Sequence, residues 1–270
     1  MKNLITALIA LFALTIFAPC AFAARGDIQL DHSEEGIYVI KVNTKKAGTK
    51  IKPYVSDKLI TSSEVFKNNK NYALVTNGGF FDILTGAAVS YVIIDGKTVE
   101  TPFSNMGLIQ NAAKCNRLEG ILNRAEFRIL ESDRGALSFD IDYHFAPTEE
   151  GKSIKHSLQG GPMLLPYMNL EKESFVIKEG NKVKFQAADV LKRRERTVLA
   201  LKDNMLYIII FTNQNRVTID EARDFCKKLG ADKAMALDGG ASTSLNYKDI
   251  EIFSSFTSQR RVKSFLVIER

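Results

Sequence analysis

Alternating apolar and polar positions along the chain predict short β-strands joined by tight turns. Gly36 to Val42 reads Gly-Ile-Tyr-Val-Ile-Lys-Val, in which side chains two positions apart would share one face of a sheet. Turn-forming pairs between such runs predict β-hairpins. The hairpins are expected around Asp95-Gly96, from Phe175 to Phe185 around Glu179-Gly180-Asn181, and from Thr197 to Phe211 around Asp203-Asn204.

A helical period appears in few places. Thr218 and Glu221 form a capping box, and Gly230 ends the helix that follows. The apolar stripe of that helix consists of Ala222, Phe225, Cys226 and Leu229. A short helix capped by Ser62 or Ser63 is predicted to run to Asn69, and another helix is predicted between Asn111 and Asn123. Many hairpins and few helices predict an α+β fold with a mixed, largely antiparallel sheet in one compact domain.

The first 23 residues have the pattern of a signal peptide. Lys2 precedes an apolar run from Leu4 to Ala18, and Ala21-Phe22-Ala23 is a small-x-small cleavage site. The run is shorter than the about 20 apolar residues that a membrane span needs. We therefore predict a periplasmic or secreted domain over residues 24–270, without a membrane span. The two cysteines outside the leader, Cys115 and Cys226, leave a disulfide and free thiols as open alternatives.

Composition adds a weak constraint. The chain has 270 residues, of which 45% are hydrophobic and 25% charged, with a formal net charge of +6. These values are typical of a globular protein. The basic excess suits an anionic ligand, but no zinc-finger, helix-turn-helix or aromatic RNA-binding motif is present, so nucleic acid is not the expected partner. The sequence leaves the oligomeric state unknown.

Two apolar runs each end in a polar residue that is followed by two glycines. Ala234 to Leu245 reads Ala-Met-Ala-Leu-Asp-Gly-Gly-Ala-Ser-Thr-Ser-Leu, and Leu74 to Asp82 reads Leu-Val-Thr-Asn-Gly-Gly-Phe-Phe-Asp. Paired glycines permit a tight turn and a close approach of the backbone to a ligand. A plain Asp-Gly turn is the simpler alternative for either run alone. Both runs together predict one shared site containing Asp238, Asn77 and Asp82.

Two further segments supply polar groups of the same kind. Gln159-Gly160-Gly161-Pro162 follows His156 and precedes an apolar run. Arg196-Thr197 stands directly before the apolar run Val198 to Leu201, and a guanidinium group there would bind phosphate oxygens. No nucleophile elbow, P-loop, dinucleotide fingerprint or zinc-binding histidine set is present. Carboxylates, amides, arginine and glycines suit a sugar phosphate.

Four ordered motifs resemble those of the phosphodiester glycosidase family. They are Asn77-Gly-Gly-Phe-Phe81, Gln159-Gly-Gly-Pro162, Arg196-Thr197 and Leu237-Asp-Gly-Gly-Ala-Ser242. The resemblance covers about residues 72–270, and Ala241 departs from it because many members have a third glycine there. It implies a hydrolase that cleaves a sugar-1-phosphodiester, with N-acetylglucosamine or a related sugar as the glycone.

The resemblance implies a division of roles. Asp238 would be the general base or nucleophile, Asp82 the second carboxylate, and Arg196 the group that binds the phosphate. Asn77 and Gln159 would hold sugar hydroxyls, an N-acetyl group or the attacking water. The remaining expected ligand contacts come from the backbone of the glycine pairs and from two hydroxyls: Gly78, Gly79, Gly160, Gly161, Gly239, Gly240, Thr197 and Ser242.

Three questions stay open from the sequence. No cofactor is required, but Asp238, Asn77 and Asp82 are hard oxygen ligands that would suit calcium or magnesium. Inverting and retaining mechanisms differ in the separation of the carboxyl groups, which a sequence does not give. A cell-envelope protein that only binds a glycan or a sugar phosphate is the alternative to an enzyme.

Overall fold

The computed structural model describes residues 27–254 and 258–270, so the predicted signal peptide lies outside the described residues. The described residues form eighteen strands and five α-helices. The strands are β1 Ile28–Asp31, β2 Ile37–Asn43, β3 Ile51–Ile60, β4 Tyr72–Asn77, β5 Val92–Ile94, β6 Lys97–Glu100, β7 Ala125–Ser132, β8 Leu137–Tyr143, β9 Lys152–Gln159, β10 Met163–Leu165, β11 Val176–Glu179, β12 Lys182–Gln186, β13 Arg196–Lys202, β14 Met205–Phe211, β15 Lys233–Ala236, β16 Ser244–Tyr247, β17 Ile250–Phe253 and β18 Val262–Glu269. The helices are α1 Thr44–Ala47, α2 Ser62–Asn68, α3 Met106–Lys114, α4 Leu118–Leu122 and α5 Ile219–Lys228.

The strands form three main sheets and a separate hairpin. The six-stranded sheet has the order β1-β2-β14-β13-β15-β10, and the two five-stranded sheets have the orders β17-β16-β4-β18-β3 and β6-β5-β9-β7-β8. Strands β11 and β12 pair only with each other. Neighbouring strands run antiparallel throughout the described ranges. The predicted α+β, largely antiparallel fold is confirmed, as are the three predicted hairpins.

The six-stranded sheet is buried on both faces at its centre. Successive side chains of a strand point to opposite faces. Ile208 and Ile210 of β14 accordingly join one apolar cluster, whereas Ile209 and Phe211 join a second cluster on the other face. The first cluster also contains residues of both five-stranded sheets. One core therefore joins the three sheets into a single compact domain.

Helices cover the outer faces of the sheets. The predicted capping box begins α5, where Thr218 and Glu221 bond reciprocally, and its stripe packs in the second cluster. The predicted start of α2 was one residue late, because Thr61 caps it with Glu64. Ser62 instead donates to Asn246 inside the fold. The region from Asn111 to Asn123 contains the end of α3 and all of α4 rather than one helix.

The two cysteines of the described chain are unpaired. Cys226 is buried in the stripe of α5, and Cys115 is exposed after α3. Burial raises the pKa of the Cys226 thiol to about 12, so this thiol behaves as an apolar core group. Within residues 27–254 and 258–270, the helices are too short and too polar to cross a membrane.

Candidate active site

The two strand ends that carry the paired glycines lie side by side. Strand β4 ends at Asn77, and β15 leads through Leu237 into Asp238. The N–H of Asp238 donates to the carbonyl oxygen of Gly78 over 3.1 Å. The N–H of Leu237 donates to the carbonyl oxygen of Thr197 over 2.8 Å, at the start of β13. Segments far apart in the sequence thus meet at one edge of the molecule.

Asn77 holds these segments together from a fully buried position. Its Oδ1 accepts from the Thr197 hydroxyl over 2.7 Å and from the Ser244 N–H over 3.1 Å, and its Nδ2 donates to the Asp238 carbonyl oxygen over 2.7 Å. Both ends of the amide are therefore occupied within the protein. Through these bonds Asn77 and Thr197 position the backbone of Asp238, and contact of either residue with substrate stays a prediction.

Gln159 has a comparable internal role. Its Oε1 accepts from the Tyr91 N–H over 3.1 Å, and its Nε2 donates to the Leu122 carbonyl oxygen over 2.8 Å. The residue is fully buried. It satisfies backbone groups of two loops, and the expected contact between Gln159 and a sugar stays a prediction.

The glycines permit close crossings of backbone segments. A Cβ atom on Gly79 would lie 2.2 Å from the Gln159 carbonyl oxygen, and one on Gly160 would lie 2.8 Å from the Ala236 carbonyl oxygen. Both distances are far below van der Waals contact. Close packing of chain against chain explains why these positions lack a side chain.

The amide groups of the paired glycines donate within the protein, and their contact with a ligand stays a prediction. Gly161, for example, donates to the Ala236 carbonyl oxygen over 2.8 Å, and Gly239 donates to Oδ1 of Asp238 over 3.0 Å. The acceptors of the others are the Ser264 carbonyl oxygen for Gly78, the Ser264 hydroxyl for Gly79, the Ala125 carbonyl oxygen for Gly160 and the Glu195 carbonyl oxygen for Gly240.

A cleft of about 610 Å³ opens above Asp238. This volume is within the usual range for small-molecule sites. Four of the predicted site residues line it, namely Asp238, Gly239, Gly240 and Ser242. The other lining residues are Phe80, Phe81, Ile83, Ala188, Asp189, Arg194, Glu195, Arg216, Ala241, Ser254 and Arg260.

The carboxyl group of Asp238 has a perturbed affinity for protons. Burial raises its pKa from 3.8 to about 6, against the opposing effects of hydrogen bonds from Ser242 and the Gly239 N–H and of the charges of Arg260 and Arg124. Desolvation therefore outweighs the local donors. A carboxyl group with this pKa is mostly ionised at neutral pH and is poised to accept a proton.

Arg196 is buried and is not one of the residues that line the cleft. Its Nη2 donates to the carbonyl oxygens of Asp189, Val190 and Lys192 over 3.2, 3.1 and 2.7 Å. These bonds fix the loop before β13. A role of Arg196 as a phosphate ligand stays a prediction.

Three other arginines line the cleft. Arg194 pairs with Asp189, and Arg216 donates from Nε and Nη2 to Oε1 of Glu195 over 3.0 and 2.8 Å. Arg260 lowers the pKa of Asp238 through its charge. Three carboxylates, Asp189, Glu195 and Asp238, thus share one cleft with several guanidinium groups.

Asp82 lies in a turn instead of the cleft wall. Its Oδ1 accepts from the N–H groups of Leu84 and Thr85 over 2.8 and 3.0 Å. These backbone hydrogen bonds lower the pKa of the Asp82 carboxyl group. Such geometry is typical of a turn-capping aspartate, and the carboxylates that line the cleft beside Asp238 are Asp189 and Glu195.

A buried cation lies beneath the cleft. The guanidinium carbon of Arg124 lies 3.9 Å from the ring centroid of Phe175 and 5.2 Å from that of Phe80. Burial lowers the pKa of Arg124 to about 10, and its charge in turn favours the ionised form of Asp238. Glu173, fully buried nearby, accepts from the N–H groups of Ala125 and Met163, and its pKa is raised to about 7 by burial.

Sequence patterns did not single out four charged residues at or near the cleft, namely Glu195, Arg216, Arg260 and Arg124. Glu195 stands within the charge run Arg193 to Arg196, in which only Arg196 was selected. The other three arginines lie in no shared motif. Their common feature is proximity to Asp238 or Glu195, which depends on the fold.

The three side chains suggested as metal ligands have hydrogen-bond partners within the protein, and metal binding by them stays a prediction. Oδ1 of Asn77 already accepts two hydrogen bonds, and the Asp82 carboxylate caps a turn. Residues 27–254 and 258–270 contain no group of three or more histidine, cysteine, aspartate or glutamate side chains that would hold a metal ion.

The fold and cleft define an antiparallel sheet protein with a candidate site formed by carboxylates and arginines. The sequence model of the phosphodiester glycosidase family matches residues 70–269, and the chain belongs to this family. A comparison with curated protein sequences finds no match.

Solved structures show the same fold at low sequence identity. The catalytic domain of zebrafish N-acetylglucosamine-1-phosphodiester alpha-N-acetylglucosaminidase, auto-inhibited by its pro-peptide, is 16% identical with a TM-score of 0.62, and the match covers 90% of this chain and 81% of that one. A hypothetical protein from Synechocystis is 14% identical with a TM-score of 0.58. The match covers 90% of this chain, which spans 61% of the length of the Synechocystis protein.

Proposed function

We propose that this protein is an exported hydrolase that cleaves the bond between the anomeric carbon of a sugar and a phosphodiester. The observation that carries the proposal is a carboxyl group of raised pKa, Asp238, in a cleft lined by arginines. Family membership over residues 70–269 supports the reaction class. The name of the zebrafish relative, an N-acetylglucosaminidase, supports N-acetylglucosamine as the first sugar to test.

Asp238 would act at the anomeric carbon. As a base it takes a proton from water while the water oxygen forms a bond to C1, and as a nucleophile its own oxygen forms that bond first. In either case the C1–O bond breaks and its electron pair stays on the phosphate oxygen. The bonds from Ser242 and from the Gly239 N–H orient the carboxylate.

The departing phosphate needs stabilisation more than protonation. A phosphomonoester has a second pKa of about 6 and is a good leaving group. Arg216 and Arg260 lie on the same cleft as Asp238, and guanidinium groups bind phosphate oxygens strongly. Glu195 accepts two N–H bonds from Arg216 and would hold that guanidinium group in place.

The hydrolysis is tested by incubating the purified protein with N-acetylglucosamine-1-phosphodiesters and with uridine diphosphate N-acetylglucosamine. The expected result is free sugar from the wild type and none above background from Asp238→Asn. Asp203→Asn is a matched control because Asp203 lies in the turn between β13 and β14.

Equal turnover by wild type and Asp238→Asn would remove Asp238 from the chemistry. Thermal stabilisation of both proteins by these ligands, with no sugar released by either, would indicate the non-catalytic binding protein. Incubation with and without a chelator, followed by added calcium or magnesium, tests for a divalent cation.

A further inference from the structure

Exposed apolar side chains are concentrated beside the mouth of the cleft. The described residues include nine large hydrophobic side chains that are exposed. Five of them come from three separate segments that meet here, and we call them the apolar strip: Ile83, Leu84, Phe103, Met106 and Phe145. Leu84 is 97% exposed, which is costly for an apolar side chain unless it meets a partner.

Contacts bring the three segments close to one another. Asn105, next to Met106, lies near enough to Asp82, next to Ile83, to help lower the pKa of the Asp82 carboxyl group. The ring of Phe103 packs edge-on against Tyr91 at 6.5 Å between centroids, and Tyr91 stacks on His144 at 4.0 Å. The ring of His144 in turn lies 5.4 Å from that of Phe145. The five side chains therefore belong to one surface.

The strip starts in the cleft itself. Ile83 lines the cleft together with Asp238, Arg216 and Arg260, and it is also 62% exposed. A ligand with its phosphate among the arginines would extend past Ile83 onto Leu84 and the rest of the strip. The group attached to the far side of the phosphate is therefore offered hydrocarbon contacts rather than polar ones.

We propose that the apolar strip binds a hydrocarbon chain on the leaving-group side of the substrate, so that the preferred substrates are amphiphilic sugar phosphodiesters. The inference rests on the proposed function and names the class of its leaving group. Charge and apolar surface are arranged in the order that such a molecule presents them, with the anionic phosphate on the arginines and the chain on the strip.

The first test compares two substrates that share one sugar-1-phosphate and differ in the alkyl group of the diester, methyl or dodecyl. The dodecyl substrate is used below its critical micelle concentration. We expect kcat/KM of the wild type to be at least 10-fold higher for the dodecyl ester. In Leu84→Ser/Phe103→Ser this ratio should fall to within about 2-fold of unity. Val183→Ser, an exposed apolar position on β12, is the control and should keep the wild-type ratio. An unchanged ratio in the double variant, or no chain-length preference in the wild type, would overturn the proposal.

The second test does not depend on turnover. Calorimetric titration with dodecyl phosphate and with methyl phosphate should give at least 10-fold tighter binding of the dodecyl compound to the wild type, and this advantage should be lost in Leu84→Ser. Because Leu84 is almost wholly exposed, the single variant is expected to fold. Retained selectivity without sugar release would refute the proposed reaction and leave the strip assignment standing. Sugar release with equal binding of both phosphates would refute the strip assignment alone.

A self-association of the strip is the competing outcome. Sedimentation equilibrium of the wild type and of Leu84→Ser/Phe103→Ser separates the two. A dimer that the double variant disrupts, with no binding of dodecyl phosphate, would overturn the proposal and assign the strip to a second copy of the chain.

Discussion

Strands β4 and β15 both lead into a polar residue followed by two glycines, yet the polar residues have different roles in the structure. Asn77, Gly78 and Gly79 end β4 with each polar group bonded inside the fold. Asp238 ends β15 with a carboxyl group on the wall of the cleft and with a raised pKa. The first end is a scaffold and the second is the candidate reacting group. An apolar strand, a polar residue and two glycines are therefore compatible with either role.

The largest expected effect is on turnover. Asp238→Asn removes the basic carboxylate but keeps a side chain of similar size, so we expect kcat to fall by on the order of 10³-fold or more. Initial rates of sugar release under saturating substrate measure this loss. A fall in kcat of less than 10-fold would indicate that Asp238 has a structural role, as Asn77 has at the end of β4.

Asn77→Ala should mainly reduce stability. The substitution leaves the Thr197 hydroxyl, the Ser244 N–H and the Asp238 carbonyl oxygen without their buried partner, so we expect the free energy of unfolding to fall by about 3 kcal/mol. Urea denaturation gives the value. Asp238→Asn serves as the comparison and should unfold at no lower urea concentration than the wild type at pH 7.

Substitutions of Arg196, which bonds to backbone carbonyl oxygens, and of Arg260, which lines the cleft, should also differ in their effects on stability and binding. Arg196→Gln should lower the free energy of unfolding by about 2 kcal/mol, since three carbonyl oxygens lose a charged donor. Arg260→Gln should weaken binding of a sugar phosphate by about 10-fold, with a smaller change in stability. Urea denaturation and calorimetric titration of both variants provide the comparison. Equal effects of both substitutions on stability and on binding would contradict this assignment of the arginines.

The pH dependence of stability should differ between Asp238 and Asp82. Folding raises the pKa of Asp238 from 3.8 to about 6. Its contribution to the free energy of unfolding is full below pH 3.8 and is lost as the pH rises through 6. The melting temperature of Asp238→Asn, relative to the wild type, should therefore increase between pH 4 and pH 7. Folding lowers the pKa of Asp82 from 3.8, so its contribution is full above the unfolded pKa and is lost as the pH falls through the folded pKa. The melting temperature of Asp82→Asn, relative to the wild type, should therefore increase as the pH falls below about 4.

The smallest effect is expected for the activity of Asp82→Asn. Asparagine also caps this type of turn, and Asp82 does not line the cleft. We expect kcat/KM to stay within about 2-fold of the wild type. A loss comparable to that of Asp238→Asn would restore Asp82 as the second carboxylate of the site.

The sequence by itself determined the local secondary-structure elements and singled out Asp238 as a candidate catalytic residue. Hairpin turns, the capping box of α5 and the apolar strand that ends at Asp238 depend on residues a few positions apart, where propensity and hydrophobic period act directly. The ordered motifs also predicted the family correctly. Asp238 could be singled out because a carboxyl group that directly follows a buried strand is unusual.

Only the tertiary structure decided which side chains face the cleft. Arg196 and Glu195 are adjacent in sequence, but Nη2 of Arg196 donates to carbonyl oxygens of the loop just before it, whereas Glu195 accepts from Arg216, 21 residues further along the chain. Gln159 has backbone partners in two other segments, Tyr91 and Leu122, that no pattern in the sequence shows. Burial and hydrogen-bond satisfaction are properties of the packed molecule, and they separate the groups that hold the site from the groups that a ligand can reach.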